Sequence, residues 1–321
     1  MSNTIKEFTE ELARRVSEQL GKDKFVVRSN VVRKINTELT ALLIVDKEVD
    51  SNITPQLYVN GFYHQYLNSN LEMDEIVDAV IRTYEEHKVN KGMDISFFAD
   101  WEQVKSRIVP RLINREWNRE LLDEVPHVDV LDLSICFYAI VDMDKNGMGA
   151  ILVRNEHLDF WNVSEQELKE TAFEQNRVFK KAHLVSMLSV MHEILTDELS
   201  GELELSDDVL EGIIDAVIEN DCEMMVLTNK ERLFGAIELL DVELLERISQ
   251  KMESDLCLLG SSVHEILVIK AGRLSTEELT EMICTVNATE VRPEERLTNN
   301  PYIYKMGSKK IEIMQKDEVK L

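Results

Sequence analysis

Ser261-Ser262-Val263-His264-Glu265 is the densest group of chemistry-bearing side chains in this 321-residue sequence. Two hydroxyls, an imidazole and a carboxylate stand together at the start of an apolar run, where α/β folds often place reactive groups. On a strand, alternation puts Ser262 and His264 on one face. A hydroxyl beside an imidazole is the minimum for nucleophilic hydrolysis, the ring taking the hydroxyl proton. The supports of such a site are missing: there is no GxSxG elbow and no glycine-rich oxyanion loop. The favoured reading is therefore a hydrogen-bonded turn feeding a core strand, with Ser261, Ser262, His264 and Glu265 kept as the catalytic candidates of a hydrolase alternative.

Other chemistry falls short by spacing. Asp142, Asp144, Asn146 and Gly147 copy the first half of a calcium loop, but position 12 is Val153 where a bidentate Glu is needed. An Asn-Gly hairpin turn explains them better. His192-Glu193 has Thr196 in place of the second histidine of HExxH. With no GxGxxG, no P-loop and no metal-ligand spacing, neither a metal nor a cofactor is expected. Cys136, Cys222, Cys257 and Cys284 stand singly among apolar neighbours and read as buried, reduced thiols of a cytoplasmic protein.

Charge offers two interaction candidates. Arg107, Arg111, Arg115 and Arg119 recur every four residues, which on a continuous helix makes one basic stripe suited to carboxylate or phosphate. The bland alternative is pairing with Glu102, Glu116 and Glu120, and Pro110 threatens the helix. Between Lys181 and Lys230 there is no Lys or Arg, while 12 acids occur, among them Asp207, Asp208, Glu211, Asp215 and Glu219. A solvated face explains these, and a docking surface for a basic partner is the sharper reading.

The elements that must position these groups follow from periodicity. Ile5, Phe8, Leu12, Val16 and Leu20 predict an opening helix, followed by strands at 25–35, 39–45 and 53–59, with Pro55 marking an edge. Helices follow, the better one over 71–87, then a helical reading of 97–122, carrying Trp101 and Trp117 as core residues. Val130–Val141 and Ala150–Val153 read as a hairpin, Ser164 with Glu167 as a capping box, and 184–195 as helix. From Met224 strand and helix alternate to Tyr304, and the lysine-bearing tail from Gly307 reads as loose and flexible. The expected fold is α+β in two domains: an N-terminal helix-plus-antiparallel-sheet unit over 1–124 and a mixed α/β unit over 125–306, then a charged tail over 307–321.

Composition narrows the function classes. Hydrophobic residues make up 44% of the chain, enough for real cores, and a net charge of −25 opposes direct contact with nucleic acid or an anionic membrane. No run approaches the roughly 18 apolar residues of a spanning helix.

Several strings resemble a known bacterial family. Gln56-Leu57-Tyr58-Val59-Asn60, Leu112-Ile113-Asn114 with Asn118, Trp161-Asn162-Val163-Ser164, Val226 to Lys230, Ser261 to Glu265, and Val286-Asn287-Ala288-Thr289 through Pro293-Glu294-Glu295 with Leu297 carry the likeness. Together they resemble domain-of-unknown-function family 5688 over residues 5 to 305. The half from 130 to 305 is also similar to domain-of-unknown-function family 1444. Neither resemblance implies an activity. The expectation is a non-catalytic cytosolic interaction or regulatory protein with a protein partner. The alternatives are an acidic nucleic-acid mimic that occupies a DNA-binding protein, and the hydrolase.

Overall fold

In the computed structural model the described residues are 4–315, without 50–53, 55, 70, 89–94, 145–146, 180–181 and 188–223. The chain is α+β, and it forms two compact units, Met1–Phe97 and Phe98–Leu321. Among the described residues no helix is long and apolar enough to cross a membrane.

The first unit is built on the predicted helix. In α1 (Ile5–Leu20) the spacing of three and four brings Phe8, Leu12 and Val16 to one fully buried face, and a Thr4–Glu7 capping box satisfies the first turn. Strands β1 (Phe25–Lys34) and β2 (Thr37–Asp46) form a hairpin whose turn uses Asn36 in the left-handed region. The short β3 (Gln56–Tyr58) takes the far side of β2, the edge position expected after Pro55. Helices α2 (Asn60–Asn68) and α3 (Met73–His87) complete the unit, α3 sending Ile76, Val77, Val80 and Tyr84 into the core with Leu42 and Ile44.

The second unit contains two antiparallel sheets. After α4 (Trp101–Val104) the chain enters β4 (Ile108–Asn114), where the sequence reading expected continued helix. The paired apolar residues Ile108-Val109 and Leu112-Ile113 are buried on both faces, and β4 pairs along β6 (Leu133–Asp144). Pro110 is tolerated because β4 is an edge strand. Only a four-residue helix, α5 (Arg119–Leu122), follows. On the other side of β6 lie β5 (His127–Val130) and β7 (Gly147–Leu152), so the apolar run from Val130 is divided by a turn at Leu131, itself in the left-handed region. The boundary expected near residue 124 falls inside this unit, since the strands that precede and follow it share the sheet.

Helices α6 (Asn155–Trp161) and α7 (Glu165–Phe179) come next, and Ser164 accepts the Glu167 amide as its capping box predicts. Ala182–Ser186, expected as helix, is strand β8, because Leu184 and Val185 pair with Leu227 and Val226 of β9 (Met225–Asn229). A 3-10 helix, Gly235–Leu240, leads to α8 (Val242–Met252), β10 (Leu256–Leu259), β11 (Ile266–Lys270), α9 (Thr276–Thr289), β12 (Tyr302–Lys305) and β13 (Lys310–Ile313). The sheet order is β13-β12-β10-β11-β9-β8. Within the tail expected to be loose, Lys310–Ile313 is thus the sheet's edge strand on β12. Leu279 and Ile283 seat α9 on Cys257, Leu259 and Ile269.

Two expected burials differ. Cys136 and Cys257 are buried but Cys284 is exposed, because Ile283 and Asn287 take the inward face of α9. Cys222 lies outside the described residues. Trp101 is half-buried, its ring tilted against that of Trp161 with centroids 5.6 Å apart, and Trp117 is 40% exposed in the turn before α5.

Candidate functional site

The catalytic candidates occupy the loop before β11, not the strand itself, which starts at Ile266. Alternation therefore does not apply to them. The Ser262 hydroxyl accepts the His264 amide at 3.1 Å and closes a local turn, and neither serine hydroxyl hydrogen-bonds the imidazole. The ring is engaged elsewhere. Its Nδ1 accepts the Phe234 amide at 3.3 Å, so the neutral ring carries its proton on Nε2, which faces Glu295 Oε1 at 3.7 Å. Arg292 approaches the same carboxylate oxygen at 3.3 Å. Glu265 lies apart from this group, and burial holds its carboxyl above the usual range against the opposing pull of Arg232.

Burial is the main influence on His264 and pushes its pKa below the ordinary value. Glu295 pulls it up and Arg111 pushes it further down. The sign follows directly: as pH falls, the unfolded chain takes up this proton first. Stability from this group is intact above the unfolded value of about 6.5 and is lost as pH falls through the lower folded value. His157, also depressed by burial, acts in the same direction. Urea midpoints of the wild type are therefore expected to fall between pH 7.5 and 5.5. His264→Asn, which offers the Phe234 amide a non-titrating acceptor, is expected to fall less. Equal falls in the two proteins would show that His264 titrates like an exposed histidine.

The arginines do not form a stripe. Arg107 ends a 3-10 turn and donates to the Val141 carbonyl at 3.0 Å. Arg111 projects from β4, its guanidinium 4.7 Å from the Phe234 ring centroid and 5.5 Å from that of Tyr138. Its Nη2 donates to the Glu294 carbonyl at 2.8 Å, and its enclosed Nε has no hydrogen-bond partner. Arg115 approaches Asp129 at 3.6 Å, and Arg119 pairs with Glu116. A spacing of four marks one face only where the chain stays helical, and here it crosses a turn, a strand, a second turn and a helix. Asp207, Asp208, Glu211, Asp215 and Glu219 lie outside the described residues, as do His192-Glu193 and the Asn146 of the calcium-like turn. Among the described residues no group of three or more His, Cys, Asp or Glu is gathered as for a metal ion.

What the loop does assemble is a polar clasp around 293–300. Arg111 holds the Glu294 carbonyl, Asn114 donates to the Leu297 carbonyl at 3.1 Å, and Asn287 donates to the Thr298 carbonyl at 2.9 Å. Backbone bonds run from the Leu297 amide to the Ser261 carbonyl and from the Val263 amide to the Glu295 carbonyl, both at 2.9 Å. Asp132, at the β5–β6 turn, accepts from the Tyr302 hydroxyl at 2.7 Å, Thr298 Oγ1 at 2.8 Å and Asn300 Nδ2 at 2.9 Å. Burial with Asp132 pushes the Tyr302 hydroxyl far above its usual pKa. Side chains from the four-stranded sheet thus pin a loop of the six-stranded one, giving buried polar groups the partners they need.

A second feature was not anticipated. At the β8 end of the larger sheet, α8 bounds a groove of about 470 Å³. Leu184 of β8, Met225 of β9, and Leu244, Ile248 and Met252 of α8 supply its apolar wall. Arg247 and Lys251 of α8 and Lys270 of β11 line it as well, and among the described residues no acidic one does. The spacing 244, 247, 248, 251, 252 was visible as a helix with adjoining apolar and basic edges. Only the fold sets that edge beside β8 and Lys270.

The class of protein is thus an α+β protein whose second unit joins two antiparallel sheets through a polar clasp and carries a cation-lined groove. The chain belongs to the family of unknown function DUF5688, whose family model matches residues 5–306. No curated protein and no solved structure matches it.

Proposed function

We propose that the protein is a non-catalytic binding protein that acts through the groove between α8 and the β8–β9 end of the sheet. The observation that carries this reading is three cations lining one apolar groove in a chain of net charge −25. Its volume is in the range of ligand sites. The non-catalytic part is supported by the engagement of the His264 ring and the Ser262 hydroxyl in local hydrogen bonds, so that in this loop the serine hydroxyl is not paired with the imidazole. We take the protein to act in the cytosol, a reading that the free thiols of Cys136, Cys257 and Cys284 support.

The test uses the methionine methyl groups in NMR. Met225 and Met252 line the groove and are its reporters, while Met73, in the first unit, is a control. The resonances of Met225 and Met252 are expected to shift on addition of an anionic amphiphile or an acidic amphipathic peptide, with that of Met73 unchanged. Turnover of ester or amide reporter substrates that His264→Asn abolishes, with no shift at the groove, would replace this reading by the hydrolase.

A further inference from the structure

We propose that the protein pairs with a second copy of itself along β1, joining the two β1-β2-β3 sheets into one antiparallel sheet of six strands. β1 lies at an edge of its sheet, and among the described residues no strand or isolated bridge occupies its outer side. It is also the longest edge strand, with ten residues against seven in β4 and three to six in β3, β5, β7, β8 and β13. β4 is guarded by Pro110, whereas β1 has no proline and pairs with β2 through all ten residues without a bulge. Six of the ten, Arg28 to Val31 with Arg33 and Lys34, are exposed. Val31, at 57%, is the most exposed large apolar side chain described in the first unit. An edge of this length offers a row of backbone donors and acceptors to another strand, and a protein that stays single usually blunts it.

The sequence of β1 fits its own reverse. With a twofold axis at Ser29, Val27 faces Val31 of the second copy on one side of the sheet, and Val26 faces Val32 of the second copy on the other. Each pair occurs twice, and β-branched pairs across neighbouring strands are what stabilise a sheet. The cations that could guard the edge meet no like charge. Arg28 faces Asn30 of the second copy, and Arg33, 3.6 Å from Glu38 of its own hairpin, faces Phe25 of the second copy. Lys34, held 4.3 Å from the Tyr58 ring centroid, lies beyond the paired span of 25–33. Neighbouring registers lose this fit. An axis at Arg28 sets that guanidinium against its own counterpart, and an axis at Asn30 sets Val27 against Arg33 and Val26 against Lys34. Nine paired residues a side give about eight to ten backbone hydrogen bonds. A contact of the same patch with itself closes at two copies.

The experiment combines sedimentation equilibrium of the full-length protein with oxidative cross-linking of added cysteines. The wild type is expected to be a dimer that dissociates on dilution. Val31→Lys, at a position already exposed, sets a cation against Val27 of the second copy and is expected to weaken the dimer by about tenfold or more, with the urea midpoint unchanged. Ser29→Cys is expected to cross-link to its own counterpart above the wild-type background of the exposed Cys284. Lys34→Cys is not, because antiparallel pairing centred on residue 29 holds the two copies of residue 34 about 34 Å apart. A monomer at every concentration overturns the proposal. A dimer that Val31→Lys leaves intact, or in which Ser29→Cys forms no cross-link, has its contact elsewhere and overturns it too. Cross-linking at residue 34 in preference to residue 29 overturns the antiparallel register. If Val31→Lys fails to fold, the contrast between Ser29→Cys and Lys34→Cys decides alone.

Discussion

Gly235→Ala is expected to destabilise the second unit by about 3 kcal/mol, the upper end of the usual overpacking cost. A Cβ at residue 235 would lie 2.3 Å from Thr228 Oγ1, 2.5 Å from the His264 carbonyl oxygen and 2.8 Å from the Asn229 amide nitrogen. Two of the three are backbone atoms, which no rotamer change removes. The Thr228 hydroxyl itself donates to the His264 carbonyl at 2.7 Å, so relief of one contact breaks the bond that ties β9 to the loop before β11. The preceding residue adds to the constraint, because Phe234 has a φ of 54°, costly for a bulky side chain. Phe234 holds that conformation by stacking on His264 and Arg111. Gly61→Ala is the matched control. Gly61 lies within α2 with nothing within 4 Å of its added carbon, so this change is expected to be neutral or to stabilise by up to about 1 kcal/mol. Urea unfolding of both variants measures the contrast, and equal effects would mean that the close approach at Gly235 is relieved by a shift of the loop.

Asp132→Ala carries the second large effect, about 3 kcal/mol, because it strips the acceptor from three donors at once. The Tyr302 ring is fully buried and its hydroxyl would be left without this partner. Tyr302→Phe alone is expected to cost less, about 1 to 2 kcal/mol, since it removes the donor and leaves the carboxylate its other partners. The double variant should cost less than the two single costs added, with a coupling of roughly 1 kcal/mol or more. Strict additivity in urea denaturation would show that Asp132 and Tyr302 act independently, and that the clasp is held by Asn114 and Asn287.

These two effects bear on why several strings of the sequence look as they do. Leu112-Ile113-Asn114, Asn118, Ser261 to His264, Asn287 and Pro293 to Leu297 are far apart in sequence, yet they meet around one loop. Asn118 donates to the Asn114 carbonyl at 2.7 Å, and Asn114 in turn reaches Leu297. Residues that resemble a catalytic constellation by type are here the donors and acceptors of a buried junction. Such a junction needs hydroxyls, amides and carboxylates at fixed places for the same reason an active site does, because an unpaired polar group inside a protein is costly. The groove, by contrast, needs only apolar and cationic side chains at helical spacing, and such residues carry little signature.

Local elements were legible wherever periodicity and caps agree. The α1 stripe, the α3 stripe, the Ser164–Glu167 cap, the edge position of the third strand and the alternation beyond Met224 all follow from short-range rules, and so does the α+β class. Tertiary structure decided the rest. Arg107 to Arg119 imitates a helix face because a spacing of four says nothing about whether the backbone between is helical, and Ile108 to Ile113 finds its partners in β6, from Ala139 back to Ser134. Leu184-Val185 could serve a helix or a strand, and pairing with β9 across the long intervening stretch settles it. His264 reads as a base by type, whereas its chemistry depends on an amide from residue 234, a carboxylate from residue 295 and a guanidinium from residue 111, none of them near it in the chain. Sequence determines what each residue offers and its local conformational bias. Which residues meet is decided by the packing of non-local elements, because burial, hydrogen-bond satisfaction and charge pairing are properties of the whole unit and not of the segment.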